Sequence, residues 1–218
     1  MELHVVRLWV PDRPGALGLV ASRIGAVRGD VVGIEILERG AGRAVDELIV
    51  GLPEPGLVEL LVRELQQVDG VSVEDVRPLS AERHDPGVAA LGIAVELVES
   101  PPDDVLTVLC REVVREFDAE WSAAVGGLPA EVAAATGDAP SAAWLAAFVE
   151  GSRHLPGGHE HDGAPQDVAW ASLEGVDLAL AAGRKGRPFR WRERRQLTLL
   201  ARVADRVLTT ASPRVPDA

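Results

Sequence analysis

Within the first 79 residues the spacing of apolar side chains switches repeatedly between two periods, and a cluster of breaker residues marks each switch. Residues 3–10 (Leu-His-Val-Val-Arg-Leu-Trp-Val) are β-branched, aromatic and partly alternating, and they stop at Pro11-Asp12-Arg13-Pro14-Gly15. That pattern predicts a strand running into a turn. Leu17, Val20, Ala21, Ile24 and Val27 then recur at helical spacing up to Arg28-Gly29, which predicts an amphipathic helix. Residues 31–37 and 44–52 read as two more strands. Gly40-Ala41-Gly42 between them offers the positive-φ residues of a hairpin. After Pro53-Glu54-Pro55-Gly56, a second helix carries Leu57, Leu60, Leu61, Leu65 and Val68 on one face, and Gly70 opens a fourth strand through Val71, Val73 and Val76. The order β-α-β-β-α-β is the split βαβ arrangement, a ferredoxin-like four-stranded antiparallel sheet with both helices on one face.

The strand-to-helix junction at Gly15 has chemical consequences. Glycine has no Cβ, so a ligand can approach the backbone closely, and a helix beginning there turns its free N–H groups and positive dipole end outward. A carboxylate fits that environment. The alternative is a tight turn that binds nothing, with Pro14 at a position where its missing N–H costs nothing.

Residues 10–17 (Val-Pro-Asp-Arg-Pro-Gly-Ala-Leu), followed by a helix and then Gly29-Asp30-Val31-Val32-Gly33-Ile34, resemble the ACT domain, a small regulatory module that binds amino acids. The resemblance covers about residues 2–79. It implies a small amino acid held at a homodimer interface, between this loop and the start of the second strand. The implied ligand-binding residues are Asp12, Arg13, Pro14, Gly15, Ala16, Leu17, Asp30, Val31 and Val32. Asp30 stands where the family commonly has asparagine. A carboxylate there can accept a ligand amine and would repel a ligand carboxylate.

Beyond Pro78 the character changes. Residues 81–87 are polar and contain breakers, which predicts a linker between a domain at 1–80 and another at 88–210, with a disordered tail at 211–218. Val88, Leu91, Val95 and Val98 form one helical stripe, and Leu106, Leu109, Cys110, Val113 and Phe117 form another, around a corner at Pro101-Pro102. Residues 120–125 read as a strand, Gly126-Gly127-Leu128-Pro129 as a turn, and 130–150 as an alanine-rich stretch with Trp144, Leu145 and Phe148. Residues 167–173 and 176–182 form a late strand pair around Glu174-Gly175. The run 176–189, in which a strand leads through Gly183-Arg184-Lys185-Gly186-Arg187-Pro188-Phe189 into the amphipathic segment 191–204, resembles the end of a GAF domain. This match covers residues 168–208 and implies an α/β sensor domain with an antiparallel sheet and flanking helices. The expected fold class is therefore α+β in two domains.

Three further features bear on chemistry or assembly. His154, His159 and His161, with Asp162, are weak metal candidates, since imidazole and carboxylate suit zinc, nickel or copper. Their Gly/Pro-rich context reads instead as a solvated loop. Arg184, Lys185, Arg187, Arg190, Arg192, Arg194 and Arg195 form the one basic cluster. They could hold a phosphate or nucleic acid, with Phe189 and Trp191 for stacking. The favoured reading is a solvated turn pairing with acidic neighbours. Leu197, Leu199, Leu200, Val203, Ala204, Val207 and Leu208 exceed a narrow stripe on the last helix, which is therefore buried on two sides or part of an interface.

Composition narrows the function. A net charge of −12 disfavours nucleic acid as a partner. With 47 % hydrophobic and 26 % charged residues, the chain has the balance of a folded protein. It has no apolar run long enough for a membrane span, and residues 1–4 do not resemble a signal peptide; a cytoplasmic location is expected. Cys110 is the sole cysteine and reads as a core residue. No hydrolase, zincin, P-loop or dinucleotide motif is present, so no enzyme activity and no cofactor are expected. The expected function is a non-catalytic sensor that binds an amino acid as a homodimer, with a protein partner supplying the output. The alternative is a ligand-free dimerisation and protein-interaction module.

Overall fold

The computed structural model describes residues 1–79, 86–153 and 166–211. The expected tail from residue 212 on, and most of the expected linker, lie outside the described residues. The chain forms two compact units, Met1–Pro86 and Gly87–Ala218. Each contains one four-stranded antiparallel sheet, and the fold class is α+β.

The N-terminal unit runs β1 (Glu2–Pro11), α1 (Ala16–Ala26), β2 (Asp30–Gly40), β3 (Arg43–Leu52), a 3-10 turn (Pro55–Leu57), α2 (Val58–Leu65) and β4 (Ser72–Pro78). Its strand order is β2-β3-β1-β4, so β2 and β4 are the edges. Both helices cover one face, where Val6, Leu8, Val10, Leu48, Val50 and Leu52 of the strands meet Val20, Ile24, Leu61 and Leu65 of the helices. Period 2 in the strands and spacings of four in the helices bring these residues to one layer. The hairpin turns through Ala41 (φ 49°) and Gly42 (φ 75°). Helix α1 closes with Arg28 in the left-handed region (φ 59°), and the Gly29 N–H returns to the Ile24 carbonyl at 3.0 Å.

The second unit runs α3 (Pro86–Glu99), α4 (Val105–Phe117), β5 (Trp121–Gly126), β6 (Glu131–Gly137), α5 (Ala142–Arg153), β7 (Val168–Leu173), β8 (Leu178–Gly183) and α6 (Trp191–Ala211), with sheet order β6-β5-β8-β7. One sheet face packs Ala124, Ala171, Leu180 and Ala182 against α4 and α6. The other packs Ala123, Val125, Ala179 and Ala181 against Leu145 and Val149 of α5. The small side chains let helices approach both faces closely. Among the described residues, no helix is long and apolar enough to cross a membrane.

Two differences from the sequence reading have physical causes. The alanine-rich stretch hides a strand, β6, because alanine has little strand propensity; pairing with β5, with Ala123 opposite Ala135 and Ala124 opposite Ala134, supplies what propensity lacks. Helix α3 turns its other face inward. Ile93 and Leu97 are buried, whereas the stripe Val88, Leu91, Val95 and Val98 is 54–69 % exposed. A helix apolar nearly all round gives periodicity no polar face to place outside. The last helix is held largely by its own unit: Leu197, Leu200, Ala201 and Ala204 are buried, and Leu199 is exposed.

Gly137 closes the β5–β6 ladder at φ +76°, where a Cβ would stand 2.1 Å from the Glu120 carbonyl oxygen. Gly137→Ala is expected to cost more than about 1 kcal/mol. Gly151→Ala, at an exposed helical site with nothing within 4 Å of the added carbon, should stabilise by roughly 0.5–1 kcal/mol. Urea midpoints of the two variants check the contrast.

Candidate functional site

The Asp12–Leu17 loop joins β1 to α1 at the hairpin end of the first sheet. The Asp12 N–H donates to the Gly42 carbonyl at 3.0 Å, which ties the loop to the hairpin, and the Arg13 N–H donates to the Pro11 carbonyl at 2.8 Å. Gly15 occupies the N-cap position in the left-handed region (φ 86°) and, having no side chain, gives no capping hydrogen bond. Nothing lies within 4 Å of where its Cβ would be. Asp12, Arg13, Pro14 and Gly15 are exposed, Leu17 is half-buried, and Ala16 is buried in the core. The result is an exposed loop whose backbone lies open at the positive end of a helix.

Asp30, Val31 and Val32 are elsewhere. Asp30 pairs with Gly51 and Val31 with Val50, whereas Pro11 pairs with Arg43. At roughly 3.4 Å per residue, the eight steps from Arg43 to Gly51 separate the two segments by about 27 Å along the sheet. One copy of the chain therefore does not bring the two halves of the expected site together. Asp30 and Val32 are exposed on an edge strand, and Val31 packs partly against the core.

Asp46 had no signal in the sequence beyond interrupting an apolar strand. It pairs with Leu8 on β1 and Ile36 on β2, in the same row as Ala44, Leu48 and Val50, which face the helices. It is 2 % exposed, and among the described residues its Oδ1 has no hydrogen-bond partner. Burial raises its pKa above the usual aspartate value; Arg39 opposes that shift and the charge of Asp12 adds to it. The influence of Asp12 on it places Asp46 within electrostatic reach of the loop. Glu47, one residue on and facing the opposite side, is treated differently. Its Oε2 accepts from Arg7 Nη2 at 2.7 Å and Nε at 3.0 Å and from Arg77 Nη2 at 3.2 Å, while Arg77 also donates to Asp75 at 2.7 Å.

The basic cluster is solvated only in part, and its pairing with acidic neighbours is present. Arg184 Nη2 donates to both oxygens of Glu193 at 2.7 and 2.9 Å, with side-chain exposures of 1 % and 10 %. The remaining Arg184 N–H groups meet the carbonyls of Phe117 and Arg187, and Nη2 also reaches that of Pro188; the guanidinium lies 4.1 Å from the Phe189 ring centre. Glu193 also accepts from the Arg190 N–H at 2.8 Å, as the third residue of α6 capping its own N-terminus. Arg194 donates to the carbonyls of Phe189, Val168 and Gln166, and Arg187 pairs with Asp118 at 2.9 Å. These arginines bind the β8–α6 turn to its own unit. Arg192 and Lys185 are exposed.

His154, His159, His161 and Asp162 lie outside the described residues. Among the described residues no group of three His, Cys, Asp or Glu side chains could hold a metal ion. Cys110 is buried in the α4 core, and burial pushes its thiol up to about 11, a value that leaves it protonated and unreactive at neutral pH.

No family model matches the chain, and no curated protein is similar to it at a significant level. Among solved structures, the ACT domain from GTP pyrophosphokinase of Chlorobium tepidum aligns at 19 % identity over 36 % of this chain and 97 % of that one, with a TM-score of 0.29. A GAF domain from Pseudomonas syringae pv. tomato, from a protein described as a sensor histidine kinase, aligns at 13 % identity over 57 % of this chain and 86 % of its own, TM-score 0.38. An unknown protein from Galdieria sulphuraria aligns over 94 % of this chain and 91 % of its own at 12 % identity, TM-score 0.32.

Two variants test this account of the charges. Glu193→Ala leaves Arg184 buried without its carboxylate and is expected to cost about 3–5 kcal/mol; pairing it with Arg184→Met should recover part of that loss in urea unfolding. Asp46→Asn acts in the other direction. A raised native pKa means that protonation favours the folded state, so the contribution is present at low pH and lost as pH rises through the native value. The asparagine variant should therefore unfold at a higher temperature than the parent at pH 7, by roughly 2–4 °C per kcal/mol of relieved burial. The difference should shrink toward pH 4.

Proposed function

We propose that this chain is a non-catalytic regulatory protein whose N-terminal unit binds a small amino acid between two copies of itself. The observation that carries the reading is the 27 Å separation, about eight strand residues, between the Gly15 loop and the start of β2. Strand β2 is an edge, and it runs from the Asp30 end of the sheet to the hairpin end beside the loop. Two β2 strands paired antiparallel across a twofold axis bring the Asp30 end of one copy beside the loop end of the other. The open backbone at Gly15 and the α1 N-terminus suit the ligand carboxylate. Exposed Val32 and Ile34 supply apolar surface along the pairing edge. Binding regulates to the extent that the ligand prefers one arrangement of the chain over another.

A second reading, a ligand-free module that docks another protein, is favoured by the exposed α3 stripe Val88, Leu91, Val95 and Val98.

Thermal unfolding with each proteinogenic amino acid in turn separates the two. A ligand at 100 times its dissociation constant adds about 2.7 kcal/mol, which for a chain of this length raises the midpoint by about 5–11 °C. The shift is expected with one or a few amino acids and should vanish in Gly15→Asp, whose side chain enters open space at a φ of +86° that an aspartate adopts under some strain. It should also vanish in Ile34→Lys, which puts a charge on the pairing edge and should give a monomer by sedimentation. A flat panel with the wild-type chain favours the docking module.

A further inference from the structure

We propose that Asp46 is the ammonium-binding residue of the N-terminal site, so that the site selects ligands carrying a protonated amine. This rests on the reading that the Gly15 loop binds a small amino acid, and it adds a residue that neither the motif nor the loop contains.

Asp46 is a carboxylate on the helix-facing row of β3, 2 % exposed, with an oxygen that no donor among the described residues satisfies. Buried carboxylates are as a rule paired or hydrogen-bonded, and an unmet one needs a reason. Its position supplies one. In the ladder it sits two residues from Ala44, which pairs with Val10, and three from Arg43, which pairs with Pro11; the loop leaves the sheet at that point. The loop's own anchor, Asp12 N–H to the Gly42 carbonyl at 3.0 Å, is at the same end.

The charges at this end are arranged as two poles. Gly15 and the first turn of α1 present backbone N–H groups and the positive end of the helix dipole. Asp46 and Asp12 are the carboxylates at this end and Arg39 is the cation that acts on Asp46; Arg43, opposite Pro11, is engaged over Trp9 and with the Gly70 carbonyl, and Arg13 is exposed on the loop. A ligand carboxylate belongs at the first pole and a ligand ammonium at the second, which is the charge pattern of a zwitterionic α-amino acid. A charge-assisted hydrogen bond formed out of water is worth more than one on the surface. Asp46 is therefore a stronger anchor for the amine than exposed Asp30. Since Asp46 is nearly closed off in the structure, contact with a ligand requires its neighbours to move, and ligand entry is coupled to a shift at this end of the unit.

The test is isothermal titration of the full chain with the twenty proteinogenic amino acids and with deaminated counterparts such as propanoate for alanine and 3-phenylpropanoate for phenylalanine. The wild-type chain is expected to bind an amino acid and to bind its deaminated counterpart at least about tenfold more weakly. Asp46→Asn should lose about tenfold or more in affinity for that amino acid while staying folded and dimeric, and Asp30→Asn should lose much less. Equal binding of the deaminated acid, or an Asp46→Asn affinity unchanged while Gly15→Asp abolishes binding, overturns the assignment of Asp46 and leaves the site reading standing. A wild-type chain that binds none of the amino acids overturns both.

Discussion

The antiparallel ladder of the first sheet constrains everything proposed for its unit. Strand β3 is hydrogen-bonded on both sides, to β1 in an unbroken register from Leu52 to Arg43 and to β2 with shifts near Val31/Gly33 and Ile36/Glu38. That pairing puts the Gly15 loop at the hairpin end and Asp30 at the far end, and it leaves β2 as an unpaired edge. Backbone groups along an edge strand are available to another strand. The same geometry that divides the expected site within one chain leaves an edge open to another strand.

Buried charge is met differently at different places in the molecule. In the second unit, Arg184 spends its donors on Glu193 and on three carbonyls, while Glu193 also caps α6. A buried pair this completely met serves to hold the β8–α6 turn in one conformation. On the first sheet, Glu47 is met by Arg7 and Arg77. Asp46, its neighbour in sequence, projects from the opposite face and keeps an unmet oxygen. Among the described residues, Glu74 and Glu112 also keep one buried oxygen without a hydrogen bond, and Asp46 differs from them in its place at the loop end of the first sheet.

Much of the element order was legible from residues 1–79, because breaker clusters coincide with changes of hydrophobic period and the four strands and two helices follow from those two signals. The loop was legible as well: Pro14-Gly15 after a strand reads as a strand-to-helix turn, and Gly15 takes a positive φ there, which glycine adopts without a Cβ penalty. The second unit was less readable. Alanine carries neither strand propensity nor a strong period, so β6 was invisible until its partner β5 was in place. Helix α3 showed its period but not its face. The arginines after Gly183 read as a charged turn, since nothing local reveals that Glu193 and the Phe117 carbonyl, far apart in sequence, converge on Arg184.

The sequence alone determined where strands and helices fall in the first unit and that a backbone-lined, electropositive helix start follows β1, because periodicity and turn chemistry are local. Only the tertiary structure decided which residues share an end of the sheet, which face of α3 turns inward, and which charges are buried and with whom. Those outcomes depend on register and packing between segments distant in the chain. Asp46 belongs wholly to that second class: its burial, its place near Asp12 and its unmet oxygen exist only once β1, β2 and α1 have closed around β3.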